Sequence, residues 1–202
     1  MEKNYHIDSL PLKIIIKMSA IGNLIDLGAD NFNVENMTKE ILKKIKSEEF
    51  VIDKTKEFEN LLMKSNKLLY ILDNAGEALF DKKLIESIKR RNPQLSVFIA
   101  YRSTPVINDM TYRDCLKIGL DKVGELIDSG SIFPGVLYKY TSEEFQQAYQ
   151  DADLILSKGQ GNYEGLIREK CKKVFFCLTA KCEPVAKNIG VPIRSLIFSN
   201  FF

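Results

Sequence analysis

Apolar and polar positions along this 202-residue chain follow two different periods. Over residues 11–28 apolar side chains recur at the spacing of one helix face, and Asn36-Met37-Thr38-Lys39-Glu40 starts a second helix that runs into the charged residues 43–49. A third charged, amphipathic segment covers residues 54–64 and stops near Ser65-Asn66. Residues 1–66 therefore read as a helical N-terminal section, a layer or cap over the rest of the chain.

The pattern changes at Lys67. Leu68-Leu69-Tyr70-Ile71-Leu72 is a short, wholly apolar run of the kind that fills a buried strand. It breaks off at Asp73-Asn74-Ala75-Gly76-Glu77, and helical spacing resumes over residues 78–91. The same unit of strand, polar loop and helix recurs. Residues 95–101 lead through Arg102-Ser103-Thr104-Pro105-Val106-Ile107-Asn108-Asp109 to a helix over 111–120. Leu154-Ile155-Leu156 leads through Ser157-Lys158-Gly159-Gln160-Gly161-Asn162 to a helix from Tyr163, and the run 174–178 precedes a helix near 183–188. Such alternation predicts an α/β fold in which helices cover both faces of a mostly parallel sheet, with residues 67–202 as the core of one continuous domain. Right-handed crossovers then put every strand's carboxyl end on one edge, where open α/β sheets bind their ligands. Asp73-Asn74, Asn108-Asp109 and the loop 158–162 converge there.

Composition narrows the function. With 45% apolar residues, 28% charged residues and a net charge of +2, the chain is neither disordered nor marked for nucleic acid. Its apolar runs are too short to span a membrane, and the N-terminus lacks the pattern of a secretion signal, so the expected location is the cytoplasm. Cys115, Cys171, Cys177 and Cys182 form no Cys-x-x-Cys pair and read as free thiols. The only histidine, His6, argues against a serine or cysteine nucleophile worked by a histidine base. Carboxylates, a lysine or a metal-bound water are left to move protons.

The strand ends supply such groups. Asp73, Asn74 and Asp109 are hard oxygen donors suited to a divalent cation, which could polarise a phosphoryl group and acidify a water. Singly, each reads better as a helix N-cap; together, with Gly76, Glu77 and Asn108 beside them, they favour a site. Lys158, Gly159, Gly161 and Asn162 lie just before a helix and resemble a phosphate seat, nearly evenly balanced against an ordinary glycine turn. The segment is neither a Walker A loop nor a dinucleotide fingerprint. Arg102 is a candidate to neutralise substrate phosphate or a solvated charge at a strand end, and Glu77 one to orient water or to start a helix. Asn23 and Asp26 are second-line candidates; Tyr112 and Asp114 read as a helix face.

Four ordered motifs, Gly22-Asn23-Leu24-Ile25-Asp26, Asp73-Asn74-Ala75-Gly76-Glu77, Pro105-Val106-Ile107-Asn108-Asp109-Met110-Thr111 and Lys158-Gly159-Gln160-Gly161-Asn162-Tyr163-Glu164, resemble those of the damage-control phosphatases, long catalogued as a domain of unknown function. The resemblance covers about residues 20–197 and is strongest to the stand-alone prokaryotic branch. A eukaryotic relative was once proposed as an acidic-residue methyltransferase. The resemblance implies a three-layer α/β/α sandwich that hydrolyses small phosphorylated metabolites, such as sugar phosphates or cofactor-precursor phosphates. It implies manganese, cobalt, nickel or magnesium as cofactor, held by Asp73, Asn74 and Asp109. Lys158, Gly159, Gly161 and Asn162, with Glu77 and Arg102, are implied on the substrate side, with Asp73, Asp109 and Lys158 catalytic. Members of this branch usually carry a longer helical N-terminal region, so a shortened lid is expected here. The apolar ending Phe198-Ser199-Asn200-Phe201-Phe202 reads as packing on a neighbour or as truncation. A covalent aspartyl-phosphate on Asp73, a non-catalytic phosphometabolite sensor and a protein carboxyl methyltransferase are the alternatives to direct, metal-assisted hydrolysis. Oligomeric state is not legible.

Overall fold

The computed structural model describes residues 10–22, 45 and 47–202. Seven strands form one sheet: β1 (Phe50–Asp53), β2 (Lys67–Ile71), β3 (Ser96–Tyr101), β4 (Glu125–Asp128), β5 (Leu154–Lys158), β6 (Val174–Thr179) and β7 (Leu196–Ser199), in the order β1-β7-β6-β5-β2-β3-β4. All neighbours run parallel except β6 and β7. The helices are α1 (Leu12–Ile21), α2 (Thr55–Leu62), α3 (Ala78–Arg91), α4 (Tyr112–Ile118), α5 (Glu143–Asp151), α6 (Gln160–Leu166) and α7 (Glu183–Ile189).

Strand side chains alternate between faces, and the core divides accordingly. Leu68 and Tyr70 of β2 join a cluster with Ile16, Phe58, Leu84 and Cys115, so α1 to α4 cover one face. Leu69 and Ile71 join Phe145, Tyr163 and Val185, so α5 to α7 cover the other. This is the expected α/β/α sandwich. Because β2 and β5 are buried on both faces, each large apolar side chain in them contributes on the order of 1.5–3 kcal/mol of burial, which makes the strand ends that follow them rigid supports.

Three strands and one helix were not expected. β1 lies inside the stretch read as wholly helical; only four residues long, it is framed by charges, and Val51 is 55% exposed on this sheet edge. β4 is the opposite edge, equally short, and β7 is the antiparallel strand. Helix α5 carries its own N-cap, with Phe145 N–H donating to Ser142 Oγ at 3.0 Å. Helix α6 begins at Gln160 rather than Tyr163, and α1 ends at Ile21. Most of the second expected helix, with Asn23 and Asp26, lies outside the described residues. In the apolar ending, Phe201 packs on its own chain, with ring centroids 5.5 Å from Tyr163 and 5.9 Å from Phe176.

Candidate active site

From β2 the chain proceeds through β3 to β4 on one side, then returns to place β5 on the other side of β2. The order of the parallel strands reverses between β2 and β5, the place where α/β sheets open a crevice at their carboxyl ends. Asp73 follows β2 there and Gly159 follows β5. The segment after β3 is drawn into the same place by backbone hydrogen bonds. Ala75 N–H donates to Asn108 O at 2.8 Å, Met110 N–H to Asp73 O at 2.9 Å, and Arg102 N–H to Met110 O at 2.8 Å. An isolated antiparallel bridge between Asn74 and Asp109 results, which sets both acid-bearing segments side by side.

Asp73 is 9% exposed and Asn74 7%, while Asp109 is half-buried. Asn74 Nδ2 donates to Asp73 Oδ2 at 2.8 Å, aligning the amide with the carboxylate. Burial, and then the charge of Asp109, push the Asp73 carboxyl up to about 6. Burial also raises Asp109, against the pull of Arg102. Glu77 is pushed up to about 8, again mainly by burial, with Lys158 opposing and Asp81 and Asp73 adding. Among the described residues no three His, Cys, Asp or Glu side chains form a metal cluster. The donor set is instead two carboxylates and an amide oxygen, hard ligands whose repulsion and burial a divalent cation would offset, so these residues fit such an ion.

The predicted phosphate groups take different places. Lys158 is fully buried. Its Nζ donates to Asp81 Oδ1 at 2.7 Å and to Ser19 O at 3.2 Å, and lies 3.3 Å from Glu77 Oε2. Burial alone would lower its pKa; the charges of Asp81 and Glu77 more than reverse this, so the ammonium is permanent but sits beneath the cleft, not in it. Arg102 is likewise internal, its Nε donating to Asp109 Oδ2 at 2.8 Å and Nη2 to Asn162 Oδ1 at 2.6 Å. It orients Asp109 instead of presenting its fork to solvent. Asn162, also buried, donates to Leu72 O at 2.9 Å and Lys158 O at 2.7 Å, clamping the ends of β2 and β5. Asn162 thus spends its polar atoms on the protein and has none to offer a ligand, whereas Arg102 Nη1 is buried without a partner among the described residues.

The amide of Gly159 is not free for the anticipated anion cradle. Gly159 N–H is already donated to Cys177 O at 3.0 Å. At φ +78° this residue makes room for Asp73, whose Oδ2 would lie 1.9 Å from an added Cβ. The backbone of Gly161 lies against the loop before Val136, where a Cβ built on Gly135 would fall 2.2 Å from Gly161 O and one on Gly161 itself 3.1 Å from Pro134 O.

The cleft is small and lined by Ala20, Asp73, Glu77, Gly159, Gln160 and Lys181, among others. A sequence model described as the damage-control phosphatase ARMT1-like domain matches residues 2–197. The chain belongs to that family. It is similar to a protein of Pyrococcus horikoshii named a damage-control phosphatase, at 39% identity over 93% of this chain and 64% of the relative. A second damage-control phosphatase, from Archaeoglobus fulgidus, is 36% identical over 93% of this chain and 64% of its own length. The crystal structure of a DUF89 family protein from Pyrococcus horikoshii superposes with a TM-score of 0.90 at 38% identity, covering 95% of this chain and 66% of that one. The chain thus spans just under two thirds of these relatives.

Two residues of this chain were given no site role from sequence alone. Lys181 lies two residues beyond the end of β6, is exposed, lines the cleft, and its charge acts on Asp73. Its own backbone N–H donates to Gln160 Oε1 at 2.7 Å, tying it to the start of α6. The strand-end rule that picked out Asp73 and Asp109 applies equally to Lys181. Asp81, in α3, gave no such signal: it sits four residues after Glu77 and faces inward because helix periodicity places it on the same side.

Proposed function

We propose that this chain hydrolyses phosphate monoesters of small metabolites with the help of a divalent cation held by Asp73, Asn74 and Asp109. The observation that carries the reading is the pairing of Asp73-Asn74 with Asp109 at the strand-order reversal, with Lys181 as an exposed cation on the cleft that Asp73 lines. The relatives named damage-control phosphatases support the activity class. When bound, the cation supplies Lewis acidity toward a phosphoryl oxygen and a water.

The chain's own groups do the rest. Lys181 draws the phosphate into the cleft and balances its charge. Arg102 holds the Asp109 carboxylate in one orientation. Glu77, in the cleft wall, accepts a hydrogen bond from the attacking water and takes its proton in its ionised form, so turnover rises with pH toward about 8, the value to which burial pushes this carboxyl. Lys158 balances the negative charge beneath. All four cysteines are free thiols, which supports a cytoplasmic setting, and among the described residues no helix is long and apolar enough to cross a membrane.

The test is phosphate release from a panel of sugar phosphates and phosphopantetheine-type esters, with chelator and with Mn, Co, Ni or Mg added singly. Release that needs a cation and disappears in Asp73→Ala and Asp109→Ala is the expected result. A folded protein that binds cation and phosphate without turnover would be a binding protein, and the hydrolytic reading would be abandoned.

A further inference from the structure

Asp81 is wholly buried, and its Oδ1 accepts three hydrogen bonds, from Ser19 Oγ at 2.6 Å, Tyr70 Oη at 2.7 Å and Lys158 Nζ at 2.7 Å. Its Oδ2 is buried without a partner among the described residues. The carboxylate therefore joins α1, β2, α3 and the end of β5 at one atom. Lys158 stands between two acids and is nearer to Asp81, at 2.7 Å, than to Glu77 Oε2, at 3.3 Å. One ammonium cannot fully neutralise two buried carboxylates, and the nearer takes the larger share.

We propose that Asp81 is a positioning residue for the reaction at this site: by holding Lys158 back, it keeps the Glu77 carboxylate available to the cleft. Ser19 O assists, since it accepts a second hydrogen bond from the ammonium at 3.2 Å. Glu77 lines the cleft, and among the described residues its Oε1 makes only a 3.5 Å contact, to Asn74 N–H. Without the Asp81 charge, Lys158 closes further on Glu77, with which it already pairs at 3.3 Å, and draws that carboxylate deeper into the internal ion pair. The inference rests on the hydrolytic reading of the site, in which Glu77 serves the attacking water.

Asp81→Asn tests it. Asparagine keeps the shape and an acceptor for Ser19 and Tyr70, and its amino group takes the place where Oδ2 has no partner. The expected result is a fall of about tenfold or more in kcat, with KM within about threefold of wild type. The crystal structure of the variant should show the Lys158–Glu77 contact shortened from 3.3 Å. Tyr70→Phe removes a donor from the same oxygen without changing charge, and kcat should stay within about threefold. Equal losses in the two variants would mean that packing, not charge, is at work, and would overturn the proposal. So would an unchanged kcat in folded Asp81→Asn. If melting curves show that Asp81→Asn does not fold, Asp81→Ser, which admits a water, takes its place with the same outcomes. A wild-type protein that turns over no phosphate ester sinks the hydrolytic reading alone; an unmoved Lys158 in the variant structure sinks the positioning role on its own.

Discussion

The carboxylate of Asp73 lies directly against the backbone of Gly159, so close that an added Cβ would fall 1.9 Å from Oδ2. Gly159 is at φ +78°, ψ 162°, a region essentially restricted to glycine. Gly159→Ala therefore meets both a forbidden backbone angle and a displaced acid. Cation affinity, followed by calorimetry, should drop together with phosphate release, and stability should fall by roughly 1–3 kcal/mol. An alanine variant with native cation affinity would mean that Asp73 is free to move aside.

The two lysines should fail in different ways. Lys158→Met leaves Asp81 and Glu77 buried without their cation, a loss of about 3–5 kcal/mol in folding stability. Lys181→Met, at an exposed position, should leave the melting temperature nearly unchanged and raise KM about tenfold through a lost phosphate contact. Denaturant melts paired with steady-state kinetics separate the two. A destabilised Lys181 variant with unaltered KM would remove Lys181 from the site.

Asn162→Ala strips a partner from Arg102 Nη2 and from the carbonyls of Leu72 and Lys158 together. With about 1 kcal/mol or more for each buried group left unpaired, the loss is roughly 3 kcal/mol or greater. Urea unfolding measures it, and a loss under about 1 kcal/mol would indicate that water replaces the amide.

Stability should depend on pH in an unusual sense. Folding raises Asp73 from 3.8 to about 6 and Glu77 from 4.5 to about 8. The folded chain thus keeps protons that the unfolded chain has released, so these two groups favour folding most below about pH 4. Their contribution declines as pH rises through both folded values, by up to about 1.4 kcal/mol per pH unit for each group. Melting temperatures in chelator should fall from about pH 5 to 8, and saturating Mn should flatten or reverse the slope by favouring the ionised acids. A melting temperature that climbs across this window in chelator would contradict the burial of these acids.

Ile107 is 87% exposed and adopts φ +51°, a left-handed conformation that a β-branched residue rarely takes. Ile107→Asn or Ile107→Gly should raise stability by about 1 kcal/mol, read as a shift in the urea midpoint. No gain would place the strain elsewhere in the loop.

Strands β2, β3, β5 and β6 were legible because each is a continuous apolar run followed by a polar loop, and the convergence of Asp73, Asn74 and Asp109 followed from parallel topology alone. Edge strands β1 and β4 were not, since a one-sided run of four residues among charges carries too few positions to establish a period. The same limit applied to charge. Lys158 and Arg102 stand at strand ends like Asp73, but sequence position cannot tell whether a long side chain turns outward to a ligand or inward to a buried acid. That choice was made by Asp81 and Asn162, whose own inward orientation depends on packing from several elements at once.

Main chain, not side chain, stitches the segment after β2 to the segment after β3. Amide-to-carbonyl links of that kind survive any exchange of residues except to proline at a donor position. Residues facing the cleft can therefore be exchanged without unseating the acids, because the frame that holds Asp73 beside Asp109 is written in the backbone.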